Sequence, residues 1–198
     1  MDDLWNVSDE QDAALVILTF LQADCSNSQY SRELLSLGKD LNLTRDINCN
    51  GTSINALDDG DLETDGHLPN YTSVSLNDIQ PSVELQWPRN REVAAALQQV
   101  AEELKEIAAQ IEHNVVAQAT RNLRKNISSC HSQQWKKHLT KEVEWVMEQG
   151  VGLEHLHKER LMMALTLTLV KGVCEQAPQF LRNLFNTALQ YFISARTR

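Results

Sequence analysis

Leu161-Met-Met-Ala-Leu-Thr-Leu-Thr-Leu-Val170 is the most hydrophobic run in this chain, and it dictates what the remaining residues must do. Ten residues are too few to cross a bilayer, which takes about 20 on a helix. Coiled as a helix, the run is apolar nearly all round, so no side of it can face water. Other helices must therefore surround it. The pattern predicts a buried helix from about Leu153 to Glu175, closed by Lys171 and Gly172. Pro178 then opens a last helix that carries Phe180, Leu184, Phe185, Leu189, Tyr191 and Phe192, because proline is pre-organised for a first helical turn. The two form a hydrophobic hairpin, and the expected fold is all-α: about seven helices bundled around it.

The wrapping helices can be placed in turn. Ser8-Asp-Glu-Gln11 reads as a capping box, and the apolar run Ala13 to Leu21 after it reads as a mostly buried helix. A second helix ends at Gly38, a natural residue just past a helix end. Asn114 to Asn126 forms a short helix with Arg121, Arg124 and Lys125 near its end, where the helix dipole favours them. Ser132 can cap a helix through Glu148 with Trp135, Leu139, Val143 and Val146 inward, broken by Gly150 and Gly152.

One helix invites a second reading. Val100, Leu104, Ile107 and Ile111 follow one another at steps of four, three and four, which stacks them on one stripe. Val93 and Leu97 extend the stripe backwards and Val115 forwards, while Glu102, Glu103, Lys105, Glu106 and Gln110 line the opposite face. Asn90, just after Pro88, can cap this helix, which runs to about His113. Such spacing serves a core helix of a bundle. It also serves an amphipathic ligand laid into the apolar groove of a partner. A small pair, Ala108-Ala109, sits inside the stripe.

From Lys39 to Pro88 helical periodicity disappears. The segment is rich in Asn, Asp, Ser, Thr and Gly, with Pro69, Pro81 and Pro88 as punctuation. A structureless stretch of that length within a compact domain is functional or disordered, and it predicts a mobile loop with a short helical turn near Ser75–Ile79. The organisation is thus N-terminal helices over 1–38, a flexible loop over 39–88, and a helical core over 89–198, all in one globular domain. Asp61-x-Glu63-x-Asp65 imitates a calcium loop, but position twelve is Thr72 where a bidentate Glu is needed. A protease site fits better. Caspase-type enzymes hold an Asp carboxylate in a basic pocket and need a mobile substrate with a small residue after the cut. Leu62-Glu63-Thr64-Asp65 followed by Gly66 meets these needs.

Charge sorts along the chain the same way. The net charge of −9 argues against a nucleic-acid binder, but residues 1–65 carry −11 and residues 66–198 carry +2. A cut after Asp65 would separate the two. Lys136, Lys137 and Lys141 could then meet anionic lipid, with Leu161, Leu165 and Leu169 of the hairpin supplying apolar area for interfacial insertion.

Catalytic and metal chemistry find no support. Cys25, Cys49, Cys130 and Cys174 show no C-x-x-C spacing, and the acidic start Met1-Asp-Asp-Leu lacks the basic region of a signal peptide. Free thiols in a reducing cytosol follow. His155-x-His157 is too close for a helical metal pair and reads as a solvated helix start. No phosphate loop or nucleophile elbow occurs, so neither an enzyme nor a cofactor is expected.

The stripe resembles the third homology motif (BH3) of the Bcl-2 family: four apolar anchors at this spacing, with a small residue, here Ala108, after the third. Ala109 stands where that family carries a near-invariant Asp. The blocks Phe20-Leu-Gln-Ala-Asp-Cys25, Ser31-Arg-Glu-Leu-Leu-Ser-Leu-Gly38, Leu62-Glu-Thr-Asp-Gly66, Leu161 to Val170, and Ala177-Pro-Gln-Phe-Leu-Arg-Asn-Leu-Phe-Asn-Thr187 are similar, in order, to the pro-apoptotic BH3-only branch of that family. The resemblance implies a regulator latent in the cytoplasm, cut after Asp65 by an initiator caspase. Its C-terminal fragment would act at the mitochondrial outer membrane, and on pro-survival grooves and pro-apoptotic effectors of the Bcl-2 family, to promote permeabilisation and cytochrome c release. The same resemblance implies one more short helix, not found before Arg198, and lipidation of the exposed Gly66. For the latter the fifth residue, Asn70, departs from the preferred Ser or Thr. Two other readings compete: a pro-survival groove receptor, whose Asn-Trp-Gly-Arg signature does not occur here, and an unrelated helical scaffold.

Overall fold

The computed structural model describes residues 9–44, 84–150 and 153–196. Among them are seven α-helices: α1 Glu10–Gln22, α2 Ser28–Asp40, α3 Arg91–Gln110, α4 His113–Ser128, α5 Trp135–Glu148, α6 Lys158–Gln176 and α7 Leu181–Arg196. The elements form an all-α bundle. The expected capping Ser8, the helical turn near Ser75–Ile79 and Gly152 lie outside the described residues.

α6 is the hub. Leu161, Ala164, Leu165, Thr166, Leu167, Leu169, Val170, Val173 and Cys174 are all buried on it, and α1, α3, α4, α5 and α7 pack around it. Two threonines inside so apolar a helix would be costly if their hydroxyls went unpaired. Thr166 and Thr168 donate instead to the carbonyls of Met162 and Ala164, at 2.7 and 2.6 Å, a local bond open to a hydroxyl mid-helix. α7 completes the hairpin after a 3₁₀ turn, Pro178–Phe180, with proline in its first positions. It buries Leu181, Leu184, Phe185, Ala188, Tyr191 and Phe192.

Several helix ends differ from the sequence expectation. α1 is capped by Asp9, whose side chain accepts from the Glu10 amide at 2.7 Å. α2 does not stop at Gly38 but runs to Asp40; the stop comes at Asn42, which takes the left-handed backbone (φ 55°) that Asn tolerates. α6 starts at Lys158 rather than Leu153, because Leu153–Leu156 forms a turn that still buries Leu153. It also continues through Gly172 to Gln176. Gly172 serves contact, not termination: a Cβ there would come within 3.0 Å of both Thr120 Cγ2 and Thr120 Oγ1, so α4 and α6 cross closely. Ser132 opens a 3₁₀ turn, Ser132–Gln134, and caps nothing with its side chain. Gly150 does break the chain after α5, with φ 69°.

The N-terminal pair belongs to the same core. α1 buries eight residues and lies against α3 and α7. Its turn to α2 is pinned to the far end of α6: the Asn27 side chain caps α2 and donates to the Glu175 carbonyl at 2.8 Å, and Lys171 Nζ donates to the Ala23 carbonyl. The buried Tyr30 hydroxyl donates to the Leu21 carbonyl at 2.9 Å, and burial drives its ionisation well above the ordinary phenol range. Arg182 of α7 ties the end of α2 through Asp40 and through Ser36 Oγ at 3.2 Å.

Candidate groove-binding helix

α3 carries the four-anchor stripe, and its start is as the sequence predicts. Asn90 caps it by accepting from the Glu92 amide at 3.0 Å, and Glu92 lies in the first turn where the helix dipole favours an anion. Val100, Leu104 and Ile107 are buried on the helix, at 2 % exposure or less. Ile111 is buried too, at 7 %, but it is not helical. The helix ends at Gln110, and Ile111 is its extended C-cap, with φ −75° and ψ 139°. α4 then begins at His113 rather than Asn114, and Val115 belongs to it. The stripe therefore does not extend forwards as a single helix. The turn lets α4 place Ala119, Leu123 and Ile127 in the core, against α5 and α6. Val93, the backward extension, is exposed, whereas Leu97 is buried.

The anchors do not face the hairpin alone. α3 packs on α1 and α6 together, so the N-terminal helix shares with the central one in covering α3. Each buried anchor contributes about 1.5–3 kcal/mol relative to exposure. Across the edge of this contact, Arg160 Nη1 of α6 lies 2.6 Å from Glu103 Oε1, with both side chains partly exposed. The pair joins residues far apart in sequence, and nothing in the local pattern signals it. A second pair, Lys105 to Glu102 at 2.6 Å, lies within α3 on the surface.

The small pair behaves unequally. Ala108 is half-buried against the core, while Ala109 is exposed. A carboxylate at position 109 would stand in water in this fold. Glu112, outside the helix, is also exposed.

The residues expected to meet lipid do not share a surface. Lys137 and Lys141 are exposed on α5, and Lys136 is half-buried and donates to Ser194 Oγ at 2.9 Å. Leu161, Leu165 and Leu169 point into the core of α6. Beside the lysines, a cavity of about 420 Å3 is lined by Lys136, Thr140, Glu144, Lys158, Glu159, Met162 and Tyr191, so its opposite charges balance. Among the described residues, no helix is long and apolar enough to cross a membrane. His155 and His157 are both exposed ahead of α6, and no group of His, Cys, Asp or Glu among the described residues is placed to hold a metal ion. The segment Leu62-Glu63-Thr64-Asp65-Gly66 lies outside the described residues.

Sequence reasoning missed one buried carboxyl. Glu142 of α5 is 6 % exposed. Burial pushes its acid above the ordinary carboxylate range, opposed by hydrogen bonding from Asn122 and by the charges of Lys141 and His138. The signal was available: Glu142 follows Leu139 by three positions and precedes Val146 by four, which puts it on the inward face.

Comparison with known proteins bears on the whole chain. The family model described as BH3 interacting domain (BID) matches residues 4–196. The BH3-interacting domain death agonist of Gallus gallus is 27% identical over 194 residues, covering 96% of this chain and 91% of that protein. No solved structure matches.

Proposed function

The chain belongs to the BH3-interacting domain (BID) family, and from that premise we propose that it is a latent pro-apoptotic regulator whose α3 is a hidden groove ligand. The observation that carries the proposal is the burial of Val100, Leu104, Ile107 and Ile111 in a bundle where α3 packs on α1 and α6. Groove recognition needs those four side chains on the outside of a helix, so the closed fold cannot present them. Its partners are Bcl-2 family proteins, both pro-survival grooves and pro-apoptotic effectors. The name of the Gallus gallus relative, a death agonist, supports the pro-apoptotic over the pro-survival reading. No catalytic step is assigned to the chain.

Activation comes from an initiator caspase cutting after Asp65, which leaves a new amino terminus at Gly66. The fragment then moves from the cytoplasm to the mitochondrial outer membrane, where Lys136, Lys137 and Lys141 meet anionic lipid. Leu161, Leu165 and Leu169 reach the interface only once the bundle opens, since they are buried in the closed form. Permeabilisation and cytochrome c release follow. Digestion with an initiator caspase and mass spectrometry of the products tests the cut: Gly66 is the expected new terminus, and unchanged digestion of Asp65→Ala overturns the site. Co-sedimentation of cut and uncut protein with cardiolipin-rich vesicles tests the second step. Greater, salt-sensitive binding of the cut protein is expected, and equal binding counts against it.

A further inference from the structure

α3 and α4 are separate helices for no reason that lies in their own residues. From Arg89 to Gln149 the chain holds neither glycine nor proline, the residues that break helices locally. The corner between the two helices consists of Ile111, with φ −75° and ψ 139°, and Glu112, with φ −60° and ψ 118°. Both φ values are already those of an α-helix, and only the two ψ angles are extended. The Ile111 amide donates to the Ala108 carbonyl at 3.3 Å, where a continuing helix would use Ile107. Glu112 precedes α4 without giving it a side-chain cap, so the local sequence does not specify a helix start there. Packing is what bends the chain. α4 lays Ala119, Leu123 and Ile127 into the core against α5 and α6, while α3 lies on α1 and α6.

We infer that α3 and α4 are one helix held bent by the bundle, and that α3 straightens through the corner when it acts as a ligand, so that Val115 becomes a fifth anchor. The inference deepens the reading of α3 as a groove ligand and rests on it. In the closed form only Val100, Leu104 and Ile107 share a helix, because Ile111 lies past its end. Exposing α3 as it stands would therefore present an incomplete stripe. Turning ψ of Ile111 and Glu112 to helical values restores steps of four, three, four and four through Val100, Leu104, Ile107, Ile111 and Val115. The amides of Glu112 to Val115 then find the carbonyls of Ala108 to Ile111. These bonds offset part of the packing that α4 gives up. Val115, half-buried in the closed form, moves onto the stripe. The partner surface that fits is an apolar groove about 22 Å long, the helical rise from Val100 to Val115.

Glu112→Pro separates the two forms. Proline fixes φ near that of Glu112 and holds the preceding residue extended, as Ile111 already is. The closed bundle accepts it, and Tm of the full chain should not fall below that of Glu112→Ala. A helix through the corner does not accept it, since the ring removes the amide that would reach Ala108 and collides with that carbonyl. The first measurement needs no partner. In aqueous trifluoroethanol tertiary packing is lost and helices persist. Backbone chemical shifts of Ile111 in the full chain are expected to turn helical there in Glu112→Ala and to stay extended in Glu112→Pro. Extended shifts in Glu112→Ala overturn the bent helix. The second measurement is binding to a purified pro-survival Bcl-2 protein by the full chain, cut at a protease site inserted within residues 50–57. Glu112→Pro should bind at least about tenfold more weakly than Glu112→Ala, and Val115→Ala should weaken binding about fivefold. Equal affinities of the Pro and Ala variants at 112 overturn the straightening. No binding by any variant overturns the ligand reading of α3 and the fifth anchor with it, while the shifts in alcohol still decide the corner.

Discussion

Glu103 of α3 and Arg160 of α6 meet at 2.6 Å, so the candidate ligand helix is joined to the central helix by charge as well as by apolar packing. Both side chains keep partial contact with solvent, which limits the pair to about 0.2–1 kcal/mol. Glu103→Gln should therefore lower Tm by only a few degrees, and the difference from the parent should shrink as salt is raised. Thermal melts at low and high ionic strength check this; an unchanged Tm at low salt would show that the pair is structurally idle.

Gly172 of α6 lies close against Thr120 of α4. Alanine at 172 gains about 1 kcal/mol of helix propensity but places its Cβ within 3.0 Å of two Thr120 atoms. Rotating the Thr side chain can turn its Hβ into only one of the two contacts and leaves a heavy atom in the other, and overpacking costs about 1–3 kcal/mol. Gly172→Ala is expected to destabilise the fold modestly, while Gly172→Ala combined with Thr120→Ala should recover more stability than Thr120→Ala alone would suggest. A double-mutant cycle from urea denaturation measures the coupling, and strict additivity would refute it.

Glu142 should make stability depend on pH in a definite direction. Its acid is raised in the folded state, so the folded chain holds the proton more tightly than the unfolded chain. The stabilising contribution is fully present below the ordinary carboxylate value of 4.5 and is lost as pH rises through the higher folded value. Glu142→Gln is therefore expected to raise Tm at pH 7, with the gain vanishing as pH falls below 4.5. Melts across pH 4–7 decide the matter, because a gain constant with pH would mean that the carboxyl is not the cause.

A peptide spanning residues 91–116 should bind a pro-survival groove weakly, and Ala109→Asp should tighten it at least tenfold. The resemblance to the BH3 motif implies an Asp here that pairs with a groove arginine, and losing one partner of a buried charged pair costs about 3–5 kcal/mol, less where water reaches the charge. Calorimetry on the two peptides measures the difference. Equal affinities would show that the register is misplaced or the contact not ionic. In the intact protein the same substitution should leave the unfolding free energy unchanged within about 0.5 kcal/mol, since position 109 is exposed.

The sequence made the core legible where hydrophobicity was unambiguous. The run Leu161 to Val170 had to be mostly buried, and it is, with Met162, Met163 and Thr168 partly exposed. The anchors of α3 were legible as a stripe, and the Asn90 cap was legible as chemistry. The misses share one cause: local signals had two meanings that only a distant partner separates. Gly38 and Gly172 looked like helix stops, yet α2 runs past Gly38 and Gly172 makes room for Thr120. Ile111 and Val115 continued the stripe on paper, but the chain turns between them so that α4 can reach α5 and α6. Leu153 and Leu156 had helical spacing in a segment that turns. The Glu103–Arg160 pair left no local trace, and neither did the cover that α1 gives to α3.

The unequal burial of the small pair has an evolutionary consequence. On the proposed function, Val100, Leu104 and Ile107 would have to satisfy two hosts in succession, their own bundle and a partner's groove, so a change that improved one fit would be checked by the other. Position 109 answers to only one of them. Because Ala109 touches solvent in the closed form, selection can strengthen or mute the signal there without taxing the fold. On that reading, potency is tunable at position 109 while the closed fold is left unchanged.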